Sequence, residues 1–148
     1  MKESLTLLEK LARKKFKAIL AKQKKSKAKG GSFDVSFDEK SFADWFMKQT
    51  EKQKDQCFYC RVKQSDITRL IESKKGLLRS KRFVTRGKSL EVERMDSSTN
   101  SYSAENCVLI CYFCNNDKSD VVSAEDYLTF FAEAKRRYFE YLLGKLED

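Results

Sequence analysis

Leu90-Glu-Val-Glu-Arg-Met-Asp96 and Tyr102-Ser-Ala-Glu-Asn-Cys-Val-Leu-Ile-Cys-Tyr-Phe-Cys-Asn-Asn-Asp-Lys-Ser119 are the two stretches that decide the fold. Leu90 and Val92, then Val108 and Ile110, alternate as strand residues do. Between them, 96–106 is rich in Ser, Thr and Asn, the composition of an Ω-type loop. A helix is expected after Cys114. Two strands, a polar loop and a helix make a small α+β unit.

Working outward, Cys111-x-x-Cys114 has a counterpart in Cys57-Phe-Tyr-Cys60, with 50 residues between the pairs. A two-residue gap lets both thiolates of a turn point at one ion, and two such turns complete a tetrahedron. The four cysteines are therefore expected to hold one structural zinc ion. Disulfides and buried thiols are the competing readings of the same residues. Four thiolates would leave no open position for water, so such a zinc staples the fold and does no chemistry. Cys107 is left over and is expected to be a small core residue.

Helices flank this unit. Residues 4–28 place Leu5, Leu8, Ala12, Phe16, Ile19 and Leu20 near one face, and Gly30 and Gly31 follow. Asp38 is an expected N-cap for a helix to about Gln53 carrying Phe42, Trp45 and Phe46. A short helix is expected over Asp66–Ser73. Ser123, with Asp126 three residues on, is expected to cap a last helix. Its stripe of Tyr127, Phe130, Phe131, Ala134, Tyr138, Tyr141 and Leu142 reads as core, or as core plus the surface of a homodimer.

The net charge is +9 over 148 residues. Residues 1–29 hold eleven Lys plus Arg against two acids, which already accounts for +9. Such a block, with Lys22, Lys24 and Lys25 beyond the apolar stripe, fits a basic helical arm over 1–30 that touches nucleic acid, in front of a domain over 31–148. A solvated tail is its plain alternative. A second basic run, Lys74, Lys75, Arg79, Lys81, Arg82, Arg86 and Lys88, has no acid between Glu72 and Glu91. It is expected to be a loop or ribbon facing phosphates. No apolar run reaches the roughly 20 residues of a membrane span, and no signal-peptide core is seen, so an intracellular, cytoplasmic protein is expected. There is no histidine. Acid–base chemistry, if present, uses another group.

The two opening stretches resemble the zinc-containing HNH (ββα-metal) endonucleases: strand, loop ending in Asn106, strand, Cys-x-x-Cys-Asn115, then Lys118-Ser119. The resemblance is closest to the rare-cutting HNH restriction endonucleases, a branch with Asp-Arg where this chain has Glu93-Arg94 and a Tyr-Ser motif matched by Tyr102-Ser103. It implies a nuclease core stapled by the zinc and cutting DNA with a catalytic Mg²⁺ or Mn²⁺. It places Glu93 and Asn115 as ligands of that ion and Asn106 as the bridge of the loop. Arg94 stands in the position of the catalytic histidine, and Lys118 is added to the DNA contacts. Tyr102 is a weaker candidate for a proton acceptor. The alternatives are a catalytically inactive HNH fold that binds DNA or RNA, and a structural zinc protein with an RNA or protein partner.

Overall fold

The computed structural model describes residues 6–78 and 80–148; Leu5 of the first helix and Arg79 of the basic run lie outside the described residues. Helix α1 spans Leu7–Ala28 and starts on a capping box in which Thr6 and Glu9 satisfy each other's backbone N–H groups. Ala12, Phe16 and Ile19 are its buried residues. They face helix α2, Glu39–Lys52, which Asp38 caps. Phe16 stacks on Phe42 with centroids 5.2 Å apart, and Phe37 and Trp45 extend the cluster. Each such ring pair is worth about 0.5–1.5 kcal/mol beyond area burial. The basic helix is thereby docked along one side, with lysines left on the other.

Strand β1, Asp34–Val35, pairs in parallel with β3, Ser101–Tyr102. The polar stretch 96–106, expected as a loop, thus contains a short strand. The two-residue ribbon is too short for an alternation signal, and it depends on a partner 67 residues away in sequence. Strand β2, Glu91–Arg94, pairs antiparallel with β4, Cys107–Ile110, with Glu93 opposite Val108 and Arg94 opposite Cys107. The expected alternation is replaced by complete burial of β4, while on β2 Glu93 is buried and Val92 is half-buried. Helix packing on the Glu91/Glu93 side causes the inversion. The open edge of β4 is closed by a side chain. Gln53, the C-terminal cap of α2, donates to the Leu109 carbonyl at 2.7 Å and accepts from the Leu109 N–H at 3.1 Å. One amide thus stands in for a missing strand, at about 1 kcal/mol per bond.

Helix α3, Gln64–Glu72, buries Ile67 and Leu70. The expected loop or ribbon over 74–88 contains helix α4, Lys81–Arg86, capped by Ser80. Phe83 is buried in contact with Tyr112 and Phe113, and this anchor makes one short helix out of a charge run. Gly87 closes it. A Cβ there would meet the Phe83 carbonyl oxygen at 2.5 Å. Helix α5, Tyr112–Lys118, begins before Cys114, because the Cys111 sulfur caps it by accepting from the Cys114 N–H.

The C-terminal segment runs through one turn α6, Ala124–Asp126, a π turn over Tyr127–Phe131, and α7, Ala132–Glu147. A π turn carries an extra residue, which rotates everything after it by about 100° relative to an uninterrupted α-helix. The buried residues are consequently Tyr127, Ala132, Phe139 and Leu142. Phe130 (71% exposed), Tyr141 (58%), Phe131, Ala134 and Tyr138 are exposed, so the stripe is not all core, the first of the two expectations. Among the described residues, no helix is long and apolar enough to cross a membrane.

Candidate active site and metal centre

The four sulfurs of Cys57, Cys60, Cys111 and Cys114 lie within 4.8 Å of one another, and all four residues are buried. Each knuckle is held by backbone. The Phe58 N–H donates to the Leu109 carbonyl, and the Arg61 N–H donates back to the Cys57 carbonyl with Arg61 at a φ of 63°. None of the five cysteines is in a disulfide. A tetrahedral ion with Zn–S bonds of about 2.3 Å requires sulfur–sulfur edges of about 3.8 Å. Cys60 and Cys111 stand 3.9 Å apart. The cluster can hold a metal ion and is compatible with zinc. Cys107 lies outside it, buried in β4, with its thiol pushed up to about 11 by burial.

Helix α5 carries both that cluster and the neighbouring site. Past Cys114 it crosses β2 with two rungs, one turn apart on the helix and two residues apart on the strand. Asn115 Nδ2 donates to Glu91 Oε1 at 3.1 Å. Lys118 Nζ pairs with Glu93 Oε1 at 3.2 Å. Lys118 is 2% exposed and Glu93 8%. Lys118 is therefore not the DNA contact expected from sequence, because its ammonium is committed to a buried carboxylate. Burial raises the Glu93 pKa, and Lys118 works against that rise. The second oxygen, Oε2, is sealed from solvent, and the buried Tyr59 hydroxyl faces the same carboxylate.

A cavity of about 490 Å³ opens over the end of β2. Glu93, Arg94 and Asn115 line it together, with Tyr102 and two cations from elsewhere, Lys22 of α1 and Arg86 of α4. Glu93 and Arg94 are adjacent and point to opposite faces of the strand, yet both reach the cavity because β2 ends at Arg94. The Arg94 guanidinium donates to the Asn100 side-chain oxygen and lies over the rings of Tyr102 (4.9 Å) and Phe33 (5.6 Å). Asn100 in turn donates to the Ser32 carbonyl, so the segment following α1 helps to fix this arginine. Burial raises the Tyr102 pKa, which opposes a role as proton acceptor.

Asn106 lies beside the cavity rather than in it. Its oxygen accepts from the Asp96 N–H at 3.0 Å, and its nitrogen donates to the carbonyls of Asp96 and Ser101, both at 2.9 Å. It clasps the two ends of the loop. Of the basic residues, Lys24, Lys25, Lys74, Lys81, Arg82 and Lys88 are exposed. Lys75 is occupied in part by the Lys145 carbonyl at 2.6 Å. Arg86 grips Glu91 through two nitrogens and stacks on Tyr112 at 4.3 Å. Sequence reasoning missed Glu91, Asn116, Ser119 and Asp120. The last three line the cavity, and Glu91 braces it from the side. Polar residues at a helix C-terminus read as ordinary surface; the Lys118-Ser119 pair was the available signal.

No protein-family model matches the chain, and no curated protein does. Among solved structures the chain is similar to the rare-cutting HNH restriction endonuclease PacI, at 21% identity and a TM-score of 0.66, over 95% of this chain and 92% of that one. At that identity the likeness speaks for the fold: this is an α+β chain with the architecture of an HNH endonuclease and a four-cysteine cluster that can take a metal.

Proposed function

We propose that the chain is a metal-dependent endonuclease that hydrolyses DNA phosphodiester bonds, with a structural zinc in the four-cysteine cluster and Mg²⁺ or Mn²⁺ in the cavity. The observation that carries this is the convergence of Glu93, Arg94 and Asn115 in one open polar cavity, with Lys22 and Arg86 at its edge. The structural neighbour is a DNA-perturbing HNH restriction endonuclease, which supports DNA as substrate. A hard cation needs oxygen ligands, and the residues that line the cavity include a carboxylate, Glu93, and an amide carbonyl, Asn115. When bound, the ion supplies charge neutralisation and polarisation at the phosphoryl group.

The protein's own groups do the rest. Arg94, seated over two adjacent rings and held by Asn100, presents a fixed fork to phosphate oxygens and stabilises the charge that develops on them. Lys22 seats a flanking phosphate as a point charge. The exposed lysines of α1 and the cations of 74–88 add sequence-independent affinity that weakens with salt. The domain division at residue 30 remains part of this proposal, with the arm as a docked DNA-contacting helix.

Nicking of supercoiled plasmid in Mg²⁺ or Mn²⁺ tests the reading. Asn115→Ala should abolish cleavage, and Arg94→Ala should cost about 10²–10³ in rate, the usual loss for one donor at a developing anion. Undiminished cleavage by both variants would end the assignment of this site. A second reading, a zinc-stapled DNA-binding module without activity, is favoured by one observation: Lys118 already neutralises Glu93. It predicts DNA retention without nicking in any metal.

A further inference from the structure

We propose that Glu91 is a positioning residue, holding the Asn115 amide so that its carbonyl oxygen, and not its NH₂ group, faces the cavity. The inference rests on the assignment of Asn115 as a ligand of the divalent ion.

An asparagine amide has two chemically opposite ends of nearly equal size, and its terminal torsion is broad and roughly two-fold. Without a partner to fix it, either end can face the cavity, and turning the oxygen to an arriving cation then costs binding free energy. A carboxylate removes that freedom, because it accepts hydrogen bonds and donates none. Glu91 Oε1 receives Asn115 Nδ2 at 3.1 Å, which sends the carbonyl oxygen the other way, on a residue that lines the cavity. The carboxylate is itself fixed. Arg86 Nε and Nη2 reach it at 3.1 and 2.9 Å, and the guanidinium is seated on the Tyr112 ring. Tyr112 belongs to the same helix as Asn115, so arginine, glutamate and asparagine form a closed brace between α4, β2 and α5. This explains why β2 carries a second inward glutamate. Glu93 is paired with Lys118, whereas both carboxylate oxygens of Glu91 are engaged in holding Arg86 and Asn115.

Exchange of the hydrogen-bond roles tests the brace. In Glu91→Gln, Arg86 has only donors and will claim the introduced amide's oxygen. The introduced NH₂ then points at Asn115, whose oxygen must turn inward to accept it. Mn²⁺ affinity of the full chain, read by calorimetry in the absence of DNA, should fall about 10–100-fold, the usual cost of losing a group that orients a metal ligand. Adding the second change, Glu91→Gln/Asn115→Asp, should restore binding. A carboxylate at 115 accepts from the introduced NH₂ with one oxygen and offers the other to the ion. The double variant also restores the formal charge that Glu91→Gln removes, so it is compared with Asn115→Asp alone. An orienting role makes Glu91→Gln costly beside Asn115 and nearly free beside a carboxylate at 115, whereas a purely electrostatic role costs the same in both. If Asn115→Ala weakens Mn²⁺ binding but Glu91→Gln does not, the brace is wrong and the ion site stands. If Glu91→Gln weakens binding and the double variant fails to recover it, the brace is likewise wrong. If Asn115→Ala leaves Mn²⁺ binding unchanged, the ligand assignment falls and takes the brace with it.

Discussion

Cys114 and Asn115 are neighbours on one short helix, and they serve opposite kinds of site. Cys114 turns into a sealed pocket of four sulfurs, every one buried and none facing solvent chemistry. Asn115, about 100° further round the helix, turns to an open cavity of oxygen and nitrogen groups, each held by a different element. The first is built from two local turns that need only be brought together. The second needs β2, the loop clasped by Asn106, α1 and α4 to arrive at one place. The closed site makes the fold and the open one depends on it, and the two should therefore fail differently.

The largest expected effect breaks the closed side. Cys57→Ser should leave the chain unable to hold its metal and largely unfolded, since structural zinc binding supplies on the order of 10 kcal/mol of folding free energy. Far-UV circular dichroism and elemental analysis check this together. Cys107→Ser should unfold late and keep full metal content, because that thiol stands outside the cluster. Equal loss in both would erase the distinction between cluster and core.

A smaller effect sharpens the boundary between the two sites. Lys118→Met leaves Glu93 buried with no cation, and breaking such a pair costs about 3–5 kcal/mol. Chemical denaturation should show most of that loss at neutral pH. It should shrink under acid, because burial has raised the Glu93 pKa and protonation removes the unpaired charge. A Glu93 substitution made alone would strand Lys118 in the same way, so Lys118→Met/Glu93→Leu should be more stable than either single variant. Additive losses would show that the pair is not a unit.

The smallest effect lies at the rim of the open site. Lys15 donates to Ser89 at 3.0 Å, and burial lowers its pKa from 10.5 to about 8, with Glu91 opposing and Lys14 and Arg86 adding to the shift. The folded state sheds this proton before the unfolded state does. Stability linked to Lys15 should thus rise between about pH 8 and 10.5, and the penalty is fully present below that window. Lys15→Met should raise the melting temperature at neutral pH by a few degrees, with the gain vanishing toward the alkaline end. A gain that persists unchanged there would mean that packing, not charge, is responsible.

What the amino-acid sequence determined by itself was local chemistry and local period. Paired CxxC turns announce a four-thiolate cluster because two residues is the spacing at which one turn offers two sulfurs to one point. Asp38 and Ser123 announce helix starts because a short side-chain oxygen reaches the N–H three residues on. Phe16 and Phe42 announce buried faces by helical period. Where a single turn changes that period, as over Tyr127–Phe131, the period alone does not tell which of the stripe's residues are core: Tyr127 and Leu142 are buried and Phe130 and Tyr141 are exposed. Only the tertiary structure decided the rest. Lys118 reads as a surface cation and is buried, because Glu93 is a strand away. Gln53 closes the edge of β4, Asn100 holds Arg94, and Glu91 meets Asn115 and Arg86 across three elements. Each of these depends on one polar group finding its partner through space. Hydrogen-bond and charge complementarity act over a few ångströms whatever the distance along the chain, and so they leave no period for the sequence to display.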